Sequence, residues 1–392
     1  MNTQSKKEFL EIYRDDLLNN IVPFWFPRAI DEKCGGYIIS RNRDGSILDT
    51  DKSMWTQGRF SWLLASLYNT VEKREDWLKG ALHGVEFITK HGFDIDGRMW
   101  FHVTREGKPI RKRRYVFTEF FAAKAYAACA KATGDEKLIE RANDTYHLAK
   151  KYLLNPELSP KKFSATRPTR GLAIPMIRLG VAQEMRENLE DDSYTEEIDA
   201  AINEIRDYFV KPELECVMET VGENGEILDH FDGRTVNPGH AIEGAWFILL
   251  EARNRNNDPE LVKLGCQMLD WMWKRGWDEE YGGIYYFRDV YGNPVQEYWH
   301  DMKQWWVQNE TLLGTLLAFL ITKEPRYEKM YRQIHDWSYA HFPDKKYGEW
   351  YGYLHRDGRV SVPLKGNMWK GPYHLPRMLL NSWKWLEADL KS

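Results

Sequence analysis

The sequence predicts an all-α fold, an (α/α)6 barrel or toroid of six helical hairpins with short β-hairpin loops at its mouth. Three observations predict it. Apolar helical runs recur with a period of about 63 residues, the signature of a repeat architecture. Amphipathic helices with charged faces alternate with these runs, as an outer solvent-facing layer would. Short aromatic pieces with Asp-Gly or Gly-Gly turns precede four of the six runs and read as small hairpins.

In chain order, Gly35-Gly36-Tyr37 and Arg43-Asp44-Gly45 lead into a run from Trp55 to Tyr68 that is apolar almost all round. An amphipathic stretch, Trp77 to Lys90, follows it. Asp96-Gly97-Arg98 and Arg105-Glu106-Gly107 introduce the second run, Phe117 to Ala130, backed by Glu136 to Leu154. The third run spans Leu172 to Met185, backed by Glu196 to Val210. The fourth opens at Asn237-Pro238-Gly239-His240, with Pro259 to Arg275 behind it. Gly282-Gly283 and Tyr291-Gly292 precede the fifth, Trp305 to Leu320; Gly348-Glu349 and Asp357-Gly358 precede the sixth, His374 to Trp385. An open solenoid would need polar caps, and the last run is as aromatic as the first. No Pro/Ser-rich linker divides the chain. Residues 1–392 are therefore read as one closed barrel, against the usual prior of about 150 residues per domain.

Composition excludes several roles. The net charge of −4 gives no electrostatic footprint for nucleic acid. No apolar stretch approaches the about 18–20 residues of a membrane span, and the N-terminus lacks a secretory apolar region. Cys34, Cys129, Cys216 and Cys266 lie far apart with no Cys-x-x-Cys, so a reducing, cytoplasmic location is expected. Neither a Gly-x-Gly-x-x-Gly nor a Walker-type loop supports a nucleotide-dependent chemistry.

The starts of the inner runs carry the chemistry. Arg59, Glu119, His240, Glu310 and His374 share a phase of the repeat, and polar groups heading apolar helices are costly to bury unless paired or functional. His240 and Glu243, and likewise His374 and Arg377, are three residues apart and share a helix face. Asn237, just before the fourth run, is taken as a substrate contact with Glu119 and Arg377. Trp55, Trp305, Trp306, Trp350 and Trp369 cluster near the same mouth. Adjacent tryptophans cannot both face one way, so one of Trp305 and Trp306 is expected to face the bowl, with Trp369 as a further wall. An aromatic wall over a polar floor suits a sugar ring. His-x-x-Glu is not the zinc pattern, so no metal is expected. A glycosidase would need paired carboxylates, which Glu243, Glu310 and Asp301 could supply. The basic run Arg111-Lys112-Arg113-Arg114 reads as a solvated loop or an anion site at the rim.

Several segments carry a family likeness. Trp369-Lys370-Gly371-Pro372-Tyr373-His374-Leu375-Pro376-Arg377, Asn237-Pro238-Gly239-His240 through Glu243-Gly244-Ala245-Trp246, Gln57-Gly58-Arg59, Lys303-Gln304-Trp305-Trp306 and Ala173-Ile174-Pro175-Met176 resemble the N-acylglucosamine 2-epimerases. The wider superfamily includes cellobiose 2-epimerases, mannose-type isomerases and a renin-binding protein. Gln308-Asn309-Glu310 departs from the pattern expected there, which puts the contacts around Glu310 in question.

The resemblance implies an (α/α)6 barrel and a sugar 2-epimerase interconverting N-acetylglucosamine and N-acetylmannosamine; an epimerase or isomerase of unmodified sugars such as cellobiose or mannose is the alternative. It implies that His240 and His374 are the two bases flanking C2 of the ring-opened sugar, and an imidazole can act as base and then acid near neutrality. Their places at helix starts would bias both rings toward the neutral form. Arg59 would stabilise charge developing on O1, Glu243 would orient His240 or assist ring opening, and Glu310 would bind hydroxyls or orient His374. No redox cofactor is required. Activation by a nucleotide such as ATP, sialic-acid metabolism as context and a homodimer are expectations of the same resemblance.

Overall fold

The computed structural model describes residues 1–113, 115–158 and 164–391. Among them, twelve helices of 11 or more residues form two concentric layers. The inner layer is α2 (Met54–Thr70), α4 (Phe117–Thr133), α6 (Ala173–Leu189), α8 (Pro238–Asn254), α10 (Trp305–Thr322) and α12 (His374–Lys391). The outer layer is α1 (Thr3–Asp16), α3 (Glu75–His91), α5 (Glu136–Leu154), α7 (Tyr194–Glu204), α9 (Pro259–Gly276) and α11 (Pro325–His341). Inner helices begin 56 to 69 residues apart, which brackets the period read from sequence.

Burial separates the layers as the sequence pattern requires. Every residue of α10 from Trp305 to Leu320 is buried, because neighbouring inner helices and an outer helix surround it. In α3 only one face is buried, with Trp77, Ala81, Val85 and Ile88 inward; Glu75 and Asp76 at its start and Lys90 and His91 at its end complement the helix dipole. Each inner helix packs on the next around the ring, α2 on α4, α4 on α6, α6 on α8, α8 on α10 and α10 on α12.

The outer partner of the last inner helix is the first helix of the chain. α1 packs on α12, with Lys6 salt-bridged to Asp389 at 2.5 Å and the Tyr13 hydroxyl 2.8 Å from His335 Nδ1 on α11. The sixth hairpin is therefore assembled from both ends of the described chain, which the serial reading of runs did not show.

The loops at the N-terminal ends of the inner helices carry the expected hairpins. Trp100–Val103 pairs antiparallel with Lys52–Ser53 and with Pro109–Lys112; Tyr353–Leu354 pairs with Lys303–Gln304 and Val360–Val362. A repeated ion triad staples these loops to one another. Asp31 accepts from buried Lys52 at 2.9 Å and from Arg105 at 2.8 Å. Asp278 does the same with Lys303 (3.0 Å) and Arg356 (2.9 Å), and Asp344 with Lys365 (3.2 Å) and Arg43 (2.7 Å). In each triad the arginine comes from the next hairpin around the ring, and Arg43 carries the pattern from the sixth repeat back to the first. Burial alone would raise these carboxyl pKa values; the two cations instead hold all three well below the usual range.

Candidate active site

The inner helices enclose a cavity of about 1390 Å³ that opens at this end of the barrel. His240, the third residue of α8, enters it beside a close helix crossing. The preceding Gly239 has no side chain because a Cβ there would lie 2.8 Å from the Trp306 indole. That approach seats the His240 ring 5.1 Å from Trp306. His374 heads α12 and lies 5.8 Å from the same indole. Both imidazoles thus contact the same indole, Trp306.

Each ring is held through Nδ1. Glu219 accepts from His240 Nδ1 at 2.9 Å, and Glu310 accepts from His374 Nδ1 at 2.7 Å. An ionised carboxylate can only accept, so both Nδ1 atoms carry a proton and Nε2 is the nitrogen left to the cavity. The surroundings then diverge. Burial disfavours the charged form of His240, but the carboxylates of Glu219, Glu243 and Glu310 outweigh it and raise its pKa above the ordinary imidazole value. For His374, burial and the Arg377 guanidinium, with Arg59 and His240 adding to them, push the pKa well below that value despite Glu243. The helix-start argument biases both rings toward the neutral form. It fails at His240, where side-chain carboxylates dominate over the partial charge of the helix end.

Arg377 ties the two sides together. Its Nη2 lies 2.5 Å from Glu243 Oε1 and 2.7 Å from Glu310 Oε1. Glu243 is therefore paired with Arg377, and the carboxylate on His240 is Glu219, which sequence reasoning missed. Glu219 lies in the strand-loop segment before α8, outside the repeat phase used to find the others. Glu310 Oε2 accepts from the Trp246 indole at 2.8 Å, so both its oxygens are engaged by protein and it orients His374 rather than offering itself to sugar hydroxyls. Ligand atoms of Glu243, Glu310 and His374 lie within 4.8 Å of one another, as a metal site would need, but the guanidinium of Arg377 already occupies the space between the two carboxylates. The same pairing leaves neither acid free for glycosidase chemistry, and Asp301 does not line the cavity.

Arg59 differs in kind. Its guanidinium sits 4.0 Å from the Phe121 ring centre, 4.6 Å from Tyr373 and 5.2 Å from Trp55. Among the described residues it makes no ion pair, and its Nε has no hydrogen-bond partner. Burial lowers its pKa to about 10, still leaving it charged at neutrality. The placement is set by Gly58, where a Cβ would come 2.7 Å from the Phe121 carbonyl oxygen of α4. An unpaired cation in an aromatic cage is a site prepared for negative charge on a ligand.

Other predicted residues divide. Trp305 and Trp306 both line the cavity, their rings 6.1 and 5.8 Å from that of His374; the expectation that only one would do so is corrected. Trp369 is 42 % exposed at the mouth and packs edge-on against Trp55 at 5.7 Å. Trp350 is core, stacked on Phe342. Glu119 is not a substrate contact: it is fully buried and accepts from Arg98 Nε at 2.5 Å and from the Met99 backbone. Gln57 and Gln308 bind Tyr37 and Ile284 backbone in the same way, so this position clamps the hairpin to its helix. The Gln308 departure is thus a structural clamp. Asn237 is likewise structural, buried and capping α8 by accepting from the His240 N–H at 3.2 Å. Of the basic run, Arg113 lies over Trp369 at the mouth, 5.1 Å from its ring centre, and Arg114 falls outside the described residues.

This arrangement agrees with what the chain resembles. Residues 36–376 match the family model for N-acylglucosamine 2-epimerase (GlcNAc 2-epimerase). The chain belongs to that family. It is 31 % identical to the N-acylglucosamine 2-epimerase of Rattus norvegicus, over 96 % of this chain and 92 % of that protein. It is 26 % identical to the cellobiose 2-epimerase of Eubacterium cellulosolvens, over 94 % and 97 % of the two chains. The structure of cellobiose 2-epimerase from Bacillus thermoamylovorans B4167 superposes with a TM-score of 0.85 at 21 % identity, covering 96 % of this chain and 99 % of that one, which shows the shared α/α-barrel fold. The family places the chain among the carbohydrate epimerases, which are isomerases. Among the described residues no helix is long and apolar enough to cross a membrane.

Proposed function

We propose that the chain interconverts N-acetylglucosamine and N-acetylmannosamine by moving a proton at C2 of the open-chain sugar, with residues 1–392 acting as one barrel. The observation that carries the mechanism is the histidine pair: two imidazoles line one cavity and contact one indole, their pKa values driven apart in opposite directions. Between the two pKa values such a pair carries a single positive charge, on His240, with His374 neutral as base. Opening the ring exposes a C1 carbonyl that acidifies C2–H. One imidazole removes that proton, and the other returns one to the opposite face of the enediolate. Arg59, which makes no ion pair among the described residues, receives the charge that develops on O1.

The choice of N-acetyl sugar is supported by the rat relative's higher identity and by the apolar cavity wall formed by Ala173, Met176, Ile177 and Phe247, which suits an acyl methyl. The carbonyl provides the electron sink, so the reaction as proposed needs no redox cofactor. Activation by ATP, a homodimer, a cytoplasmic location and a role in sialic-acid metabolism belong to the same reading; rates with and without ATP and sedimentation test the first two.

The deciding experiment incubates the protein in deuterated water with N-acetylmannosamine, N-acetylglucosamine, mannose and cellobiose and follows C2 exchange by NMR. Exchange confined to the two N-acetyl sugars, and lost in both His240→Asn and His374→Gln, is the expected result. Faster exchange on mannose or cellobiose would overturn the substrate assignment, and near wild-type exchange in either histidine variant would overturn the two-base scheme.

A further inference from the structure

Lys124 is buried on α4, a helix otherwise built at this level from alanine and aromatic residues. Its Nζ lies 3.0 Å from Glu184 and 3.7 Å above the Trp62 ring, and it donates to the Tyr373 hydroxyl at 3.2 Å. No role in the two-base reaction accounts for it. Its effect falls on Tyr373, the residue before His374.

The Tyr373 oxygen also accepts from Arg377 Nη1, at 3.3 Å. Two cationic donors therefore fill the acceptor capacity of a single phenol oxygen. Its own O–H must be given to something else, and among the described residues nothing accepts it. The residue lines the cavity. Its ring lies 5.1 Å from that of His374 and 4.6 Å from the Arg59 guanidinium. Trp62 and Phe121 pack edge-on against the ring at 5.5 and 5.8 Å and fix its plane. A phenol polarised by two cations, with an unclaimed proton, next to an unpaired arginine is one half of a two-donor anion site whose other half is Arg59.

We propose that Tyr373 is a further catalytic residue: its hydroxyl donates a hydrogen bond to the oxygen on C1 as that oxygen becomes an enediolate, sharing it with Arg59, while Lys124 is the positioning residue that holds the phenol. The contribution is a hydrogen bond to developing charge, and no proton leaves Tyr373. The proposal rests on the two-base reading above.

The test measures kcat and KM for C2 exchange in Tyr373→Phe, Lys124→Met and the double variant, alongside His374→Gln. Tyr373→Phe keeps the ring that packs on Arg59, so it removes only the donor. The expected loss is about 100-fold in kcat with KM within about threefold, as for one donor of an oxyanion site. Lys124→Met should lower kcat about 10-fold alone and cause no further loss in the Tyr373→Phe background, because it acts through the phenol. Wild-type kcat in Tyr373→Phe, with His374→Gln inactive, would overturn this proposal and leave the two-base reading standing. Equal losses from Lys124→Met in both backgrounds would overturn the positioning role. Full exchange in His374→Gln would sink the two-base reading itself, whatever Tyr373→Phe shows. Should Lys124→Met not fold, Tyr373→Phe alone decides the catalytic claim.

Discussion

The surroundings of His240 and His374 differ more than their sequence settings do. Both imidazoles sit in the first turn of an inner helix, both give Nδ1–H to a glutamate, and both touch Trp306. Around His240 the charges nearest the ring are carboxylates. Around His374 the Arg377 cation intervenes, doubly paired with Glu243 and Glu310. The same side chain is thereby prepared as acid on one wall and base on the other. The lesson is that a shared helix position fixes where a ring points, while the second layer of charge fixes which protonation state it holds.

The sharpest way to break the contrast is at its two arginines. Arg377→Met leaves two buried carboxylates without their cation and should cost about 3–5 kcal/mol of stability, read from chemical denaturation. Arg59→Met removes a cation with no ion pair among the described residues, so stability should change little while kcat falls about 10²–10³-fold. Equal losses of stability in the two variants would show that Arg59 has a structural partner after all.

The contrast also sets the pH profile. A pair that works with one proton gives a bell. Its acid limb lies below the ordinary imidazole value, where His374 becomes charged and ceases to be a base. Its alkaline limb lies above that value, where His240 loses its proton; the limbs belong to the coupled pair. Glu219→Gln removes the carboxylate that holds the proton on His240, so the alkaline limb should move to lower pH. Neutral kcat should fall by part of the about 10²–10⁴-fold that a general acid contributes. An unmoved alkaline limb would assign it to another group.

Gly239→Ala tests the packing that brings His240 to Trp306. The added Cβ would meet the indole at 2.8 Å, and overpacking of this kind should cost about 1–3 kcal/mol with a fall in kcat. The smallest effect belongs to Asn237→Ala. Losing the α8 cap should cost about 1 kcal/mol in thermal unfolding and leave KM unchanged; a raised KM would restore Asn237 as a substrate contact.

Much of this was legible in the sequence. The apolar runs of α2 and α10 and the one-sided α3 each carry their layer in their own residue pattern, because burial on all sides or on one side selects for it. His240, His374, Arg59 and Arg377 stood out because polar groups at the heads of apolar helices need a reason. Glu119 misled the same logic: its phase in the repeat is that of Gln57 and Gln308, two residues before that of Arg59 and Glu310, and two residues on a helix turn a side chain by about 200°, from the cavity to the hairpin. Glu219 carried no signal, since a single acid in an irregular loop is unremarkable until the fold brings it to His240.

By itself, the sequence determined the repeat, the two-layer barrel and the helix starts at which chemistry gathers, since periodicity and burial are local consequences of residue order. Only the tertiary structure decided the pairing of α1 with α12, the Arg43–Asp344 contact that joins the last repeat to the first, and the opposite polarity of the two histidines. Each of these depends on side chains far apart in the chain meeting across a closed ring, and charge acts through space at distances that sequence spacing does not record.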